Sequence, residues 1–135
     1  MITWDESFST GEEKIDSQHK SLFQFINQLH DDMMTEKPPS AFEYSLKFLA
    51  DYAKSHFCYE ESCMDRYHCP AAQRNKDAHK EFLEFYKSYE IKIKKEGFTS
   101  KSIAELHVFI ENWIVRHVRT IDTQLKPCIQ SLPPT

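Results

Sequence analysis

The stretch FEYSLKFLADYAKSHFCYEESC, residues 42–63, decides the fold. Its apolar positions Phe42, Leu46, Leu49 and Ala53 recur in alternating steps of four and three, the period of an amphipathic helix with a narrow inward seam. The seam continues past Ala53 through His56 and Glu60 to Cys63. A histidine and a carboxylate one helical turn apart therefore face the same neighbour as the apolar residues do. On a solvated face such a pair needs no explanation, but on an inward seam it does.

Working outward, Ser40-Ala41-Phe42-Glu43 fits a capping box and starts this helix, which spans about residues 40–66. Upstream, Asp16 or Ser17 offers an N-cap. His19, Leu22, Ile26, Leu29 and Met33 then mark a first helix over about 16–36, closed by Pro38-Pro39. Pro70 suits the first turn of a third helix, about 70–96. Its seam reads Ala72, Asn75, His79, Phe82, Tyr86, Tyr89 and Ile93, and Gly97 is a left-handed stop. A fourth helix over about 100–122 follows from Ser102-x-x-Glu105 and the series Ile103, Leu106, Ile110, Trp113 or Ile114, His117 and Ile121, with Asp122 one step on and Pro127 ending the run. An arm, residues 1–15, lies across these helices on Trp4, Phe8 and Ile15. A short segment, 123–135, closes the chain, loose from 131 to 135.

The chain has 135 residues, 40% of them hydrophobic and only two glycine, which predicts one all-α domain rather than strands and hairpins. Short links between the helices make it an antiparallel up-down-up-down four-helix bundle with an N-terminal arm. The formal charge of -4, without long blocks of one sign, argues against nucleic acid and anionic membranes as partners. No stretch approaches the roughly 20 apolar residues of a membrane span or reads as a secretory leader, so a cytoplasmic location is expected. Cys58, Cys63, Cys69 and Cys128 form no C-x-x-C pair. Reduced thiols are the expectation, with Cys63 and Cys69, near one helix end, able to pair on oxidation.

In an antiparallel bundle the start of the first helix, the end of the second, the start of the third and the end of the fourth share one end. His19, His56, Glu60, Asn75, His79, His117 and Asp122 then fall within roughly 10 Å of one level, given a rise of 1.5 Å per residue. Four imidazoles and two carboxylates buried together are costly as free polar groups. A hydrogen-bonded polar core would be the plain account. Six donors of mixed nitrogen and carboxylate oxygen instead exceed a tetrahedral zinc site and suit two five- or six-coordinate first-row ions, iron foremost, bridged by the carboxylates. Neither His-Glu-x-x-His nor Glu-x-x-His occurs, which disfavours a zinc protease and a ferritin-like di-iron enzyme. His30, His68 and His107 lie off the seams and read as solvent-side residues.

Several stretches carry a resemblance: Trp4, Ile15-Asp16-Ser17-Gln18-His19, His56-x-x-x-Glu60-Glu61, the Met64 to Pro70 turn, His79-Lys80-Glu81-Phe82-Leu83, and Trp113-Ile114-Val115-Arg116-His117-Val118 with Asp122. Over about residues 2–128 the chain resembles the bacteriohemerythrins and hemerythrin-like domains. The resemblance implies that His19 and His56 bind one iron, that His79 and His117 bind the other, and that Glu60 and Asp122 bridge them beside a solvent-derived oxygen, as an oxo- or hydroxo-bridged pair. Dioxygen, or a similar small diatomic ligand, would bind at the iron with fewer protein ligands, in a pocket that Trp113 and Val118 can line. Position 75 departs from the pattern, which has histidine there. Asn75 offers a weak neutral amide oxygen, either as a ligand or as a hydrogen-bonding neighbour. The leading expectation is an oxygen-binding protein for storage, delivery or sensing, rather than an enzyme. The alternative is a di-iron redox enzyme with peroxidase or nitric-oxide-reducing activity, using a coordination position opened at Asn75. A third reading is a sensor module whose metal state alters a contact with a protein partner.

Overall fold

In a computed structural model, residues 2–35 and 37–131 form an all-α four-helix bundle, with no strand among them. The long helices are α1 (Glu13–Met34), α2 (Pro39–Arg66), α3 (Ala72–Glu96) and α4 (Ser100–Thr120), followed by a short α5 (Leu125–Gln130). Single 3-10 turns lie at Glu6–Phe8 and Asp122–Gln124. Helix α1 packs on α2 and α4, and α3 packs on the same two, which closes a ring of four. The inward seams meet in one apolar core that includes Leu22, Ile26, Leu46, Leu49, Phe57, Phe82, Leu106 and Ile110. No helix of the described residues is long and apolar enough to cross a membrane.

Helix starts differ from expectation for local reasons. The α1 cap is Glu12, whose Oε2 accepts from the Ile15 amide at 2.6 Å, and not Asp16 or Ser17. Asp16 instead accepts from the Thr10 amide and hydroxyl, both at 2.8 Å, and from the Ser9 hydroxyl at 2.9 Å, pinning the arm to the helix. In α2, Pro39 takes the first helical position, where its missing N–H costs nothing, so Ser40 lies inside the helix and its capping box does not form. In α4 the reciprocal cap pairs Thr99 with Ser102, one turn before the predicted Ser102–Glu105 pair. Pro70 precedes α3, which starts at Ala72.

The ends also carry corrections. Gly97 has φ 85° and ψ 169°, an extended positive-φ conformation rather than the left-handed helical one, yet still one that requires glycine. A Cβ there would meet nothing within 4 Å, so the need is for backbone freedom and not for space. Pro127 falls in the first turn of α5, where proline is tolerated, so the chain stays helical to Gln130. Helix α1 stops at Met34, and of the expected tail 131–135 only Ser131, the α5 cap, is described. The rest of that tail lies outside the described residues.

The arm crosses the bundle as expected. Ile2 exchanges two 2.8 Å hydrogen bonds with the Asn27 amide, and Phe8 packs edge-on against Phe23 with ring centroids 5.0 Å apart. The cysteines do not follow expectation: Cys69 is joined to Cys128 in a disulfide with Cα atoms 5.6 Å apart, while Cys63 is buried and free and Cys58 exposed and free. The partners are 59 residues apart, and only the fold, which lays α5 against the α2–α3 turn, brings them together. That bond staples the end of the bundle where the seam histidines converge.

Candidate metal centre

Each long helix delivers its seam donors to the same end. His19 comes from the second turn of α1, His56 and Glu60 from the late part of α2, Asn75 and His79 from the start of α3, and His117 from the end of α4. Asp122, the first residue of the 3-10 turn after α4, is buried there against the same donors. All seven are buried, with Glu60, His19 and Asn75 at 0% exposure.

The donors fall into two groups that share the carboxylates: His19, His56, Glu60 and Asp122, and Glu60, His79, His117 and Asp122, with donor atoms in each group within 4.8 Å of one another. Glu60 Oε2 lies 3.1 Å from His19 Nε2 and 3.2 Å from His56 Nε2, while Oε1 of the same carboxylate lies 3.1 Å from His79 Nε2 and 3.9 Å from His117 Nε2. Asp122 divides in the same way, with Oδ2 3.1 Å from His19 Nε2 and Oδ1 2.9 Å from His117 Nε2. Asn75 joins the second group, its Oδ1 2.8 Å from His117 Nε2.

These contacts do not satisfy one another as hydrogen bonds. His19 Nε2 has His56 Nε2, Glu60 Oε2 and Asp122 Oδ2 all at 3.1 Å, and a single ring nitrogen carries at most one proton. Glu60 Oε1 and Asp122 Oδ1 are buried without a hydrogen bond, although nitrogens stand within 3.1 Å of them. Buried lone pairs crowded against one another are what cations need, so the donor set fits metal ions better than a closed polar network.

Electrostatics points the same way. Burial pushes the His19 imidazole down, but the Asp122 and Glu60 carboxylates, each 3.1 Å away, outweigh this and raise it to about 10. Burial likewise pushes the Glu60 carboxyl up, and His19, His56 and His79 together hold it well below the usual carboxylate range. Burial pushes the His79 imidazole down, and Glu60, Asp122 and Glu61 together raise it above its ordinary value. The cluster demands positive charge at its centre.

Two residues behind the histidines set their tautomers. His56 Nδ1 donates to Gln18 Oε1 at 2.7 Å and His79 Nδ1 donates to Glu61 Oε2 at 3.2 Å, which leaves each Nε2 lone pair facing the centre. Flat aromatic faces fix the rings. Phe57 stacks on His79 with centroids 3.8 Å apart and planes 11° apart, and Trp113 stacks on His117 at 4.4 Å and 11°.

A family model described as the hemerythrin HHE cation-binding domain matches residues 10–129. The chain belongs to the hemerythrin family. Among its relatives, a bacteriohemerythrin of Pseudomonas aeruginosa is 28% identical over 121 residues, covering 90% of this chain and 76% of that protein. Myohemerythrin-1 of Phascolopsis gouldii is 28% identical over 123 residues, covering 91% and 90%. A solved crystal structure of wild-type hemerythrin superposes with a TM-score of 0.83 at 25% identity, covering 97% of this chain and 99% of that one. A hemerythrin-type protein with a donor set suited to a non-haem di-iron site is what the fold, the family and the geometry jointly establish.

The structure therefore gathers His19, His56, Glu60, His79, His117 and Asp122 into one cluster and adds Asn75 to it. Trp113 braces His117 and Val118 is buried in the core. An enclosed apolar cavity of about 10 Å³, lined by Leu22, Ala53, Phe82, Ile114 and neighbours and by neither Trp113 nor Val118, lies one helical turn from the donors. His107 is buried rather than solvent-side, in contrast to the exposed His68. Gln18 and Glu61 are site residues that seam periodicity alone does not mark. Each is the immediate neighbour of a seam residue, the position from which a side chain reaches sideways to the next helix, and that was the available signal.

Proposed function

We propose that this chain is a non-haem di-iron protein that binds dioxygen reversibly, for storage, delivery or sensing. The observation that carries the reading is the division of both buried carboxylates, each with one oxygen toward the His19 side and one toward the His117 side. Two metal positions with two shared carboxylates account for that division, and a single position does not. His19 and His56 would hold one iron, His79, His117 and the Asn75 oxygen the other, and Glu60 and Asp122 would bridge them beside a solvent-derived oxygen. An iron pair so held supplies the redox equivalents for taking up dioxygen.

The protein's own part is to keep that chemistry reversible. The apolar cavity beside the donors is at the lower size limit for a single water-sized molecule and offers no polar partner to water. Stacked rings from Phe57 and Trp113 exclude solvent from the α3–α4 side. The enzyme alternative drew its support from a position vacated at residue 75. Asn75 Oδ1 stands among the donors there, so the half with fewer donors is the one carrying His19 and His56.

The test combines metal content with an oxygen cycle. Iron-loaded protein should carry two irons per chain, with two anomalous-scattering peaks at the iron edge. Reduced without oxygen and then exposed to air, it should develop a visible charge-transfer band that disappears when oxygen is removed, over repeated cycles. Irreversible oxidation on first exposure would sink the carrier reading. Steady turnover of peroxide or nitric oxide would favour the enzyme.

A further inference from the structure

The two halves of the centre are backed differently. Behind His56 stands a neutral amide, Gln18 Oε1, at 2.7 Å. Behind His79 stands a carboxylate, Glu61 Oε2, at 3.2 Å. The charged partner lies on the half that carries the weaker donor, because Asn75 and His79 are one turn apart on α3 and both face His117 Nε2, at 2.8 and 3.0 Å. Glu61 occupies the residue after Glu60 on α2, so one helix turn supplies both the shared carboxylate and the outer one.

We infer that Glu61 is a positioning residue that compensates for the amide at Asn75, locking the His79 ring and strengthening its Nε2 as a donor to the metal held by α3 and α4. This rests on the di-metal reading above. A carboxylate accepting from Nδ1 fixes the ring and the tautomer and adds electron density to the imidazole, so the far nitrogen binds a cation more tightly. An amide partner such as Gln18 fixes the ring without contributing charge. A half-site with two imidazoles and an amide oxygen gains from that charge, and a half-site with three imidazoles would need it less. Phe57, flat against the other face of His79, leaves the ring little freedom, so the charge of Glu61 matters beyond the orientation it provides.

The compensation predicts coupling between two residues that do not bond to each other, which a double-mutant cycle measures. The full chain is made as wild type, Glu61→Gln, Asn75→His and the double variant, each loaded with Fe²⁺ without oxygen, and the two stepwise affinities are read by competition with a chelator. Glu61→Gln, which keeps a hydrogen bond and removes the charge, should weaken one of the two stepwise affinities, that of the ion held by α3 and α4, about 10-fold when residue 75 is asparagine. In the Asn75→His background the same change should cost several-fold less, because a third imidazole then supplies the donor strength that the charge of Glu61 otherwise adds. Glu61→Ala should cost more than Glu61→Gln. Gln18→Ala should weaken only the other ion, equally in both backgrounds. Glu61 lies at the surface edge with 28% exposure, and circular dichroism of the metal-free variants verifies that each folds. Equal losses from Glu61→Gln in the two backgrounds, or no loss in either, would overturn the inference while leaving the di-metal reading intact. Failure of the wild type to take up two ions would instead overturn that reading, and this inference with it.

Discussion

Helices α1 and α4 each carry a histidine near both ends of the bundle, His19 and His117 at one end, His30 and His107 at the other, and the two pairs behave in opposite ways. Along α1 the levels are roughly 16 Å apart, from eleven residues at 1.5 Å each. At the first level, four carboxylate oxygens from Glu60 and Asp122 stand among the rings, and His19 is raised to about 10. At the second, the His30 and His107 rings lie 5.3 Å apart, with the nearest carboxylates at 4.0 Å (Asp31 to His30) and 3.8 Å (Glu111 to His107). There His107 is lowered, because burial dominates and His30 adds to it, against the opposing pull of Glu111 and the Ile26 carbonyl. Burial acts alike at both ends. Buried carboxylates decide whether a histidine cluster attracts cations or excludes them.

Three changes would break or sharpen that contrast, the largest first. The donor end is stapled by Cys69–Cys128 and the other end is not. Cys128→Ser should lower the unfolding free energy of the metal-free protein by about 2–4 kcal/mol, the upper figure being the chain entropy of a loop of this length. Chemical denaturation measures this, and an unchanged midpoint would show that the staple contributes nothing. Next, Glu60→Gln removes the shared charge and makes the donor end resemble the His30 end. Loss of an outer partner already costs about 10- to 100-fold in affinity, so loss of this carboxylate should exceed 100-fold and leave at most one metal ion per chain by elemental analysis. Two ions held as in the wild type would refute a bridging role. Smaller is Asn75→His, which should tighten the α3–α4 metal position by about 10-fold in chelator competition, the scale of a single partner change. Weaker binding there would mean that the amide is the better-fitting group.

Much of this was legible in the sequence, because seam position and helix direction together fix which residues meet at one end. Five donors on four heptad-like seams, with Asp122 one step beyond the last, needed no tertiary detail, and the structure brings them together. What escaped depends on contacts between elements. The Cys69–Cys128 pairing required α5, which Pro127 concealed, since proline stops a helix in its interior but not in its first turn. The true caps at Glu12 and Thr99 competed with equally good neighbours, and only the path of the incoming chain chooses between them. His107 lies off the seam defined by Leu106 and Ile110, yet α1 packs closely enough on α4 to cover it. Gln18 and Glu61 reach sideways to the next helix, and no single-helix periodicity marks such residues.

The smallest effect isolates His107 itself. A histidine whose folded value lies below its unfolded one binds its proton more readily when unfolded, so stability is full above the unfolded value near 6.5 and falls as pH drops through it. The groups acting on it are His30 and the Ile26 carbonyl on α1 and Glu111 on its own helix. His107→Leu keeps an apolar side chain in the buried space and removes the titration. Unfolding free energies of metal-free wild type and variant at pH 7.5 and 5.5 should show the wild type losing more stability across that interval. The protein must be metal-free, because acid also displaces metal from the donor end and would mask the difference. An equal loss in both proteins would mean that Glu111 compensates fully for burial at His107, and the contrast between the two ends would then come down to the number of carboxylates alone.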